Sequence, residues 1–205
     1  MKIIIISGPT GSGKTTLSQK ILKKSKNAFL LSTDNYYKTG IKSKILSKFI
    51  ESYFDHIVSF NINLFKRDFN FIIQNARSNH SYLYDFKNKT IKKTLNKICN
   101  IKFLVIEGIF VRELFSYFRK HKYYDKNNFL FIELKEKKLC CMSRVIKRDV
   151  IERGKSKKLA KKNFYNSWKI YYKRNKKIKL DKNSNEFLIS NNLDKEILFK
   201  KILNL

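Results

Sequence analysis

Residues 8–15 read GPTGSGKT and fit the pattern G-x-x-x-x-G-K-[ST] of a phosphate-binding P-loop. Glycines let backbone N–H groups surround an anion, and the start of the following helix adds partial positive charge. Lys14 is expected to reach the β- and γ-phosphates of ATP, and Thr15 to bind Mg²⁺. The pattern therefore predicts a nucleotide site formed by Gly8, Pro9, Thr10, Gly11, Ser12, Gly13, Lys14 and Thr15.

The segments around this loop alternate between strand-like and helix-like patterns. The apolar residues 3–6 predict a strand before the loop, and residues 16–22 predict a helix after it. Further strands are predicted at residues 28–32, 103–106, 129–132 and 186–189, and helices at residues 41–53, 62–76, 139–152, 156–174 and 193–202. Residues 81–95 fit a hairpin, and residues 176–185 a solvated loop. This alternation predicts an α/β fold with a mainly parallel sheet.

Length and composition favour one globular domain over residues 1–205, with 42% hydrophobic residues to form a core. No stretch approaches the ~20 apolar residues of a membrane span. The cysteines, Cys99, Cys140 and Cys141, are odd in number and lack C-x-x-C spacing, as expected for reduced thiols in a cytoplasmic protein. The histidines, His56, His80 and His121, show no metal-binding spacing, and His80 is predicted to lie in a polar loop.

The net charge of +30 has two interpretations. Selection for RNA binding is one of them, and exposed aromatic residues among lysines could then stack on bases. Lysine outnumbers arginine, however, and residues with AT-rich codons are abundant whether or not they are charged, which favours base-composition drift. Any binding of nucleic acid should then be weak, non-specific and salt-dependent. Four aromatic residues at helical spacing fit a core face better: Tyr165, Trp168, Tyr171 and Tyr172.

Two acidic residues follow predicted strands. Glu107 ends the strand at residues 103–106, where P-loop proteins carry an acid that supports Mg²⁺. Asp34 follows the strand at residues 28–32, and ligands of open α/β sheets bind beyond the carboxyl ends of strands. Asp34 is therefore either a base or orienting group for an acceptor hydroxyl, or merely a helix N-cap or Asx turn.

Six blocks in order along the chain resemble the uridine kinase (uridine–cytidine kinase) family of P-loop nucleoside kinases. The P-loop with Thr16 resembles the family's opening, and DNYY at residues 34–37 resembles D-S-F/Y-Y. YFDH at residues 53–56, followed by Phe60, resembles N-F-D-H-P-x-A-F. The other blocks are YDF at residues 84–86, VIEGI at residues 105–109 and RDVIERGK at residues 148–155, the last resembling the lid motif R-D-x-x-E-R-G-R.

The resemblance implies a role for each of these blocks. It implies a three-layer P-loop kinase fold with a nucleoside-binding hairpin near residues 80–95 and a small lid near residues 144–160. Asp34 would activate the nucleoside 5′-hydroxyl, Asp55 would bind the ribose hydroxyls, and Tyr84 would pack on the base. Arg148 and Arg153 would close over the phosphates, and the remaining substrate-binding candidates are Tyr37, Lys89, Arg144, Lys155 and Asn163.

Several of these positions depart from the family pattern. Lys89 stands where the family has a base-contacting His, Lys155 replaces the last Arg of the lid, and Asn163 replaces a Gln. Ile57 replaces a Pro, and Arg144 stands alone where the family usually has paired arginines. Lys89 is the departure that bears on base choice, because a Lys ammonium can only donate hydrogen bonds.

The arginines of the lid block also have a physical rationale that does not depend on the resemblance. Arginines neutralise the charge that phosphoryl transfer spreads over the γ-phosphoryl oxygens. Arg144, Arg148 and Arg153 are predicted on one helix, whose alternative interpretation is a solvated basic surface.

The function expected from the sequence is ATP- and Mg²⁺-dependent phosphorylation of uridine, with cytidine left open, in pyrimidine salvage. A P-loop kinase of pantothenate, ribulose phosphate or nicotinamide riboside is a second hypothesis. An RNA-binding P-loop ATPase is the alternative from another class. Oligomeric state is left open, and no membrane partner is expected.

Overall fold

A computed structural model describes residues 1–86, 88–120, 125, 128–175, 186–189, 196, 197 and 200. The strands are β1 (Lys2–Ser7), β2 (Ala28–Ser32), β3 (Ser78–Asp85), β4 (Thr90–Ile98), β5 (Phe103–Glu107), β6 (Phe129–Leu134) and β7 (Glu186–Ile189). Within this described part, five strands form a sheet in the order β2-β5-β1-β6-β7, and every pair in it is parallel. The predicted α/β class and mainly parallel sheet are confirmed.

Helices cover both faces of this sheet. They are α1 (Lys14–Lys24), α2 (Gly40–Phe49), α3 (Ile62–Asn75), α4 (Val111–Arg119), α5 (Lys138–Ile151) and α6 (Lys157–Asn175). Ile3 and Ile5 of β1 join a cluster with α3 and α4, whereas Ile4 and Ile6 join one with α1. Alternate side chains of a strand point to opposite faces, so a strand buried on both faces must be apolar throughout. The arrangement has three layers.

Two further units flank the sheet. Strands β3 and β4 form an antiparallel hairpin, which begins three residues earlier than predicted. Helices α5 and α6 pack on each other through a small cluster that includes Cys141, Val145 and Phe164. Residues of both units line one cavity together with Asp34, which directly follows β2. Both units therefore lie beside the carboxyl ends of the sheet strands.

Several predicted boundaries need correction. Helix α2 ends at Phe49, and Tyr53–Asp55 forms a separate 3-10 turn. Helix α5 ends at Ile151, so Arg153 does not share a helix with Arg144 and Arg148. His80 lies in β3, not in a loop.

The sequence prediction also omitted α4, although its buried residues follow helical spacing: Val111, Leu114, Phe115 and Phe118. The predicted strand at residues 186–189 is confirmed as β7. The predicted loop at residues 176–185, His121, and most of the predicted helix at residues 193–202 lie outside the described residues. In the described part Cys99, Cys140 and Cys141 are free thiols.

Candidate active site

The P-loop connects β1 to α1 and is seated against α5. Gly11 has a φ of +79°, and a Cβ there would lie 2.5 Å from the carbonyl oxygen of Cys141. A side chain would therefore collide with the backbone of α5 and would also strain the left-handed conformation. Helix α1 begins at Lys14, directly after the loop. The loop and the start of the helix thus have the geometry that an anion site requires.

Lys14 is held inside this loop. Its Nζ donates a hydrogen bond to the carbonyl oxygen of Pro9 at 2.9 Å, and the residue is only 8% exposed. Burial lowers the pKa of Lys14, although the nearby carboxylates of Glu107 and Asp34 counteract this. The buried hydroxyl of Ser12 has no hydrogen-bond partner within the described part of the chain. A buried cation and an unpartnered hydroxyl in one loop suit an anionic ligand.

Glu107 is buried at the end of β5. It is 2% exposed, and its Oε1 accepts a hydrogen bond from the hydroxyl of Ser32 at 2.6 Å. Burial, with the neighbouring Asp34 carboxylate, raises the pKa of Glu107 to about 7. The next residue, Gly108, approaches Thr33 so closely that a Cβ there would lie 1.7 Å from the Thr33 hydroxyl. The segments after β2 and β5 can approach this closely only because residue 108 is a glycine.

Asp34 lies in the short 3-10 turn Thr33–Asn35, directly after β2. Its Oδ1 is buried and accepts no hydrogen bond from any residue that the structure describes. The neighbouring Asn35 makes the structural contact of this turn, because its Oδ1 accepts a hydrogen bond from the backbone N–H of Tyr84 at 3.1 Å. The buried, unpartnered oxygen of Asp34 favours a ligand-facing role over the alternative of a local cap.

A cavity of about 350 Å³ opens beside Asp34. Predicted site residues in its wall are Thr10, Asp34, Tyr37, Asp55, Lys89, Arg148, Arg153, Lys155 and Asn163. Thr10 brings the P-loop to one end of the wall. Lys89 and Ser47 bring the hairpin turn and α2, and their side chains meet in a hydrogen bond of 2.8 Å from Lys89 Nζ to Ser47 Oγ. Residues predicted from widely separated blocks therefore converge on one cavity.

Aromatic rings form one side of this cavity. The ring of Tyr37 lies 5.1 Å from that of Phe54 and 5.6 Å from that of Phe86, measured between centroids, and all three residues line the cavity. The ring of Tyr84 lies 5.2 Å from Tyr37, but Tyr84 is not among the described residues that line the wall. Tyr84 is buried and packs edge-on against Tyr37 and Phe86, whose rings line the cavity. Phe54 and Phe86, rather than Tyr84, therefore supply the accessible apolar surface of the cavity wall.

Asp55 is held by two residues of α6, Ser167 and Arg174. The hydroxyl of Ser167 in α6 donates a hydrogen bond to Asp55 Oδ2 at 2.6 Å, and Arg174 donates to the backbone carbonyl of Asp55, also at 2.6 Å. Burial raises the pKa of Asp55, while the Ser167 hydrogen bond and the Arg174 charge counteract this.

A comparison with models of known protein families leads to the same class of protein as the P-loop and the cavity beside it. The model of the phosphoribulokinase / uridine kinase family matches residues 3–174. The chain belongs to this family. This confirms the resemblance that the six sequence blocks indicated.

Individual relatives carry the same family name. The chain is 37% identical over 111 residues to the uridine kinase of Borrelia duttonii, covering 54% of this chain and 52% of that protein. It is 33% identical over 162 residues to the uridine kinase of Borrelia garinii subsp. bavariensis, covering 76% of this chain and 70% of that protein. In the first of these matches, the aligned region spans about half the length of the relative.

Solved structures agree on the fold. D-glycerate 3-kinase from Cryptococcus neoformans var. grubii superposes with a TM-score of 0.59 at 13% identity, covering 92% of this chain and 86% of that chain. A structure described as a possible uridine kinase from Bacillus stearothermophilus gives a TM-score of 0.51 at 14% identity, covering 92% and 88%. These likenesses show a shared P-loop kinase fold.

Residues 148–155, which resemble the family's lid motif, are organised around a buried carboxylate. Asp149 is 2% exposed and accepts hydrogen bonds from Lys155 at 2.7 Å and from Arg148 at 2.8 Å, with Arg153 at 3.5 Å. Burial alone would raise the pKa of Asp149, but these contacts lower it. The guanidinium of Arg153 also stacks over Phe86, 4.2 Å from the ring centroid. This segment is thereby joined to the hairpin side of the cavity.

Arg144 lies elsewhere. Its guanidinium pairs with Glu136 at 3.0 Å and donates to the carbonyl oxygen of Gly11 at 3.3 Å, so it lies over the P-loop. It is not among the described residues that line the cavity wall. Its position favours a role on the nucleotide side over the predicted role in substrate binding.

Sequence reasoning did not single out several residues of this site. Asp149 lies inside the lid block between Arg148 and Arg153, and this acidic residue between two arginines is the signal that could have identified it. The aromatic residue Phe86 stands inside the hairpin block in the same way. Ser47, Ser167 and Arg174 carry no motif, and nothing in their local sequence indicates that they reach the cavity or Asp55.

The oxygen donors near the P-loop fit a magnesium site. Thr15 is exposed at the first turn of α1, and the Asp34 carboxylate lies close enough to Glu107 to contribute to the raised pKa of Glu107. Mg²⁺ prefers such hard oxygen ligands and usually retains waters and substrate phosphates as the others. The described residues contain no cluster of three or more His, Cys, Asp or Glu side chains that could hold a metal by themselves. Among the same residues, every helix is too short or too polar to serve as a membrane span.

Proposed function

We propose that the protein is an ATP- and Mg²⁺-dependent kinase that phosphorylates the 5′-hydroxyl of uridine, as in pyrimidine salvage. The observation that supports this best is the cavity that joins the P-loop, Asp34 and the arginine lid. An acceptor hydroxyl at Asp34 would lie next to the P-loop, where the γ-phosphate of ATP is expected. The rest of the acceptor would extend toward Asp55 and the aromatic wall.

Each residue has a distinct task in this mechanism. The P-loop amides and Lys14 bind the phosphates, and Asp34 accepts the proton of the 5′-hydroxyl as that oxygen bonds to the γ-phosphorus and ADP leaves. Arg148 and Arg153 stabilise the negative charge on the transferred group. Mg²⁺ held near Thr15 and Glu107 would supply further neutralisation of the β- and γ-phosphates.

Asp149 orients the lid for this task. Arginine side chains have several rotatable bonds, and fixing them before the reaction removes an entropic cost from the transition state. The buried carboxylate holds Arg148 and Lys155 at hydrogen-bonding distance while both still line the cavity. The lid is therefore arranged for phosphate contact before a ligand arrives.

Asp55→Ala is expected to weaken nucleoside binding. The change removes a carboxylate that lines the cavity. Because hydrogen bonds to charged groups are strong, their loss should raise the nucleoside KM by roughly 10- to 100-fold. The KM for ATP should stay within about threefold of wild type, because Asp55 is not part of the P-loop. Steady-state kinetics with each substrate varied in turn measures both. Glu51→Ala is the matched control, since Glu51 is an exposed carboxylate that contacts α6 through Lys162 and Asn166. An unchanged nucleoside KM in Asp55→Ala would contradict the role of Asp55.

Lys89 is expected to make the enzyme prefer uridine over cytidine. The hydroxyl of Ser47 donates to the carbonyl of Lys44 and accepts from Lys89, which leaves the ammonium two further N–H donors. Uracil presents a carbonyl at position 4, whereas cytosine presents an amino donor that would face another donor. With cytidine bound, these donors would lack an acceptor, and the cost of leaving them unpaired predicts a preference for uridine of roughly 10- to 100-fold in kcat/KM.

Lys89→His tests this preference. Lys89 has a φ of +54°, a conformation that His tolerates better than most residues, so the hairpin turn should remain folded. The ratio of kcat/KM for uridine to that for cytidine should fall toward one. Lys93→His on the exposed part of β4 serves as the control. Equal use of both nucleosides by wild type, or an unchanged ratio in Lys89→His, would show that Lys89 does not select the base.

An acceptor panel tests the proposed function as a whole. ATP consumption and ADP formation would be followed with uridine, cytidine, other nucleosides, pantothenate, ribulose phosphate and nicotinamide riboside. Uridine should give the highest kcat/KM. Turnover of one of the other hydroxyl acceptors in preference to every nucleoside would refute the proposal. So would ATP hydrolysis that RNA stimulates and that persists near physiological salt, where non-specific binding should be lost.

A further inference from the structure

One face of α6 carries three polar residues that contact different segments around the cavity. Ser167, Tyr171 and Arg174 are spaced by four and three residues, so they lie along one side of the helix. Tyr171 shares a hydrogen bond of 3.1 Å with Ser7, the residue before the P-loop. Arg174 donates to the carbonyl of Ile109, two residues after Glu107. Helix α6 therefore contacts the ends of both β1 and β5.

The contacts of α6 with Asp55 are the most relevant to the acceptor. Asp55 ends a three-residue 3-10 turn that follows Ser52, whose φ is +54°. Backbone hydrogen bonds close this turn, from the N–H of Asp55 to the carbonyl of Ser52 at 2.8 Å and from the N–H of His56 to the carbonyl of Tyr53 at 3.1 Å. Arg174 anchors the Asp55 carbonyl, and Ser167 anchors Asp55 Oδ2. Backbone and side chain are thus fixed from the same helix.

We infer that Ser167 is a positioning residue for the acceptor site, since its hydroxyl orients the Asp55 carboxylate toward the acceptor. The hydrogen bond occupies Oδ2 and fixes the rotamer, which leaves Oδ1 to accept a hydroxyl of the substrate. Both Ser167 and Asp55 line the cavity, so the oriented carboxylate is accessible there. This inference rests on the proposed function, because it assumes that Asp55 contacts the acceptor.

The electrostatic surroundings agree with this role. Burial raises the pKa of Asp55, and the Asp34 carboxylate adds to this effect. The Ser167 hydrogen bond, the Arg174 charge and His56 lower it. Ser167 thus also helps Asp55 to remain an ionised acceptor of hydrogen bonds.

Ser167→Ala should raise the nucleoside KM by roughly tenfold, the effect of losing one charge-assisted hydrogen bond that orients a binding group. The kcat and the KM for ATP should stay within about threefold of wild type, because the chemistry at Asp34 and the P-loop is not altered. Asn166→Ala is the matched control, because it removes the neighbouring contact of α6 with Glu51 and leaves Asp55 untouched. A second pair, Ser167→Thr and Ser167→Val, has matched shapes and differs in the hydroxyl. The Thr variant should retain the wild-type KM and the Val variant should not.

A double-mutant cycle shows whether Ser167 acts through Asp55. In an Asp55→Ala background, adding Ser167→Ala should change the nucleoside KM by less than about twofold. The same roughly tenfold rise in both backgrounds would overturn the inference, and so would equal KM values for the Thr and Val variants. If wild type phosphorylates no nucleoside, the proposed function fails. If wild type is active and Ser167→Ala binds nucleoside normally, only the role of Ser167 fails.

Discussion

Lys14→Ala is expected to abolish phosphoryl transfer, with kcat/KM for ATP lower by at least about 10³-fold. Lys14 is the buried cation of the P-loop and lies close to the carboxylates of Glu107 and Asp34. Positioning and charge neutralisation supply nearly all the catalysis of phosphoryl transfer, and this cation contributes to both. Coupled ADP detection with uridine as the acceptor measures the loss.

The folded structure should survive this substitution. A buried charge carries a desolvation cost, so its removal need not destabilise the protein even though a hydrogen bond to Pro9 is lost. Thermal unfolding and circular dichroism check this point. Lys20→Ala, in an exposed position of the same helix, is the matched control and should keep full activity. A folded Lys14→Ala protein that retained substantial ATP-dependent transfer would refute the assignment as a P-loop kinase.

Asp34→Asn is expected to lower kcat by about 10²- to 10⁴-fold while ATP still binds. The substitution keeps the size of the side chain and removes its negative charge, so it eliminates proton acceptance with little change in packing. Asp34 Oδ1 is buried and accepts no hydrogen bond within the described part of the chain, which makes it available to the acceptor hydroxyl. The change should appear mainly in kcat, since the interaction strengthens as the proton moves.

The control for this variant is Asp125→Asn, which alters an exposed carboxylate outside the cavity wall. Binding of a fluorescent ATP analogue, titrated against both variants, separates lost chemistry from a lost nucleotide site. A kcat within about threefold of wild type in Asp34→Asn would show that Asp34 is neither the base nor an orienting group. The local-cap interpretation of Asp34 would then be the better one.

The sequence by itself determined the features that consecutive residues build. The phosphate site depends on backbone N–H groups of one short loop and on the helix that starts at Lys14, so the pattern at residues 8–15 contains all of its parts. The order of strands and helices also follows from local periodicity, which is why β2 was predicted with its observed bounds. Asp34 could be placed at the crevice of the P-loop because ligands of open α/β sheets bind beyond the carboxyl ends of the strands.

Only the tertiary structure decided the contacts that join distant segments. Ser167 and Asp55 are 112 residues apart, and Tyr171 and Ser7 are 164 apart, yet each pair shares a hydrogen bond. A hydrogen bond between side chains on different elements depends on how those elements pack, and it leaves no period or spacing in the sequence. For the same reason the sequence did not show that Tyr84 packs against Tyr37. Nor did it show that Asp149 accepts hydrogen bonds from both Arg148 and Lys155. Local chemistry is encoded by neighbouring residues, whereas the orientation of each group in the site is set by packing across the whole fold.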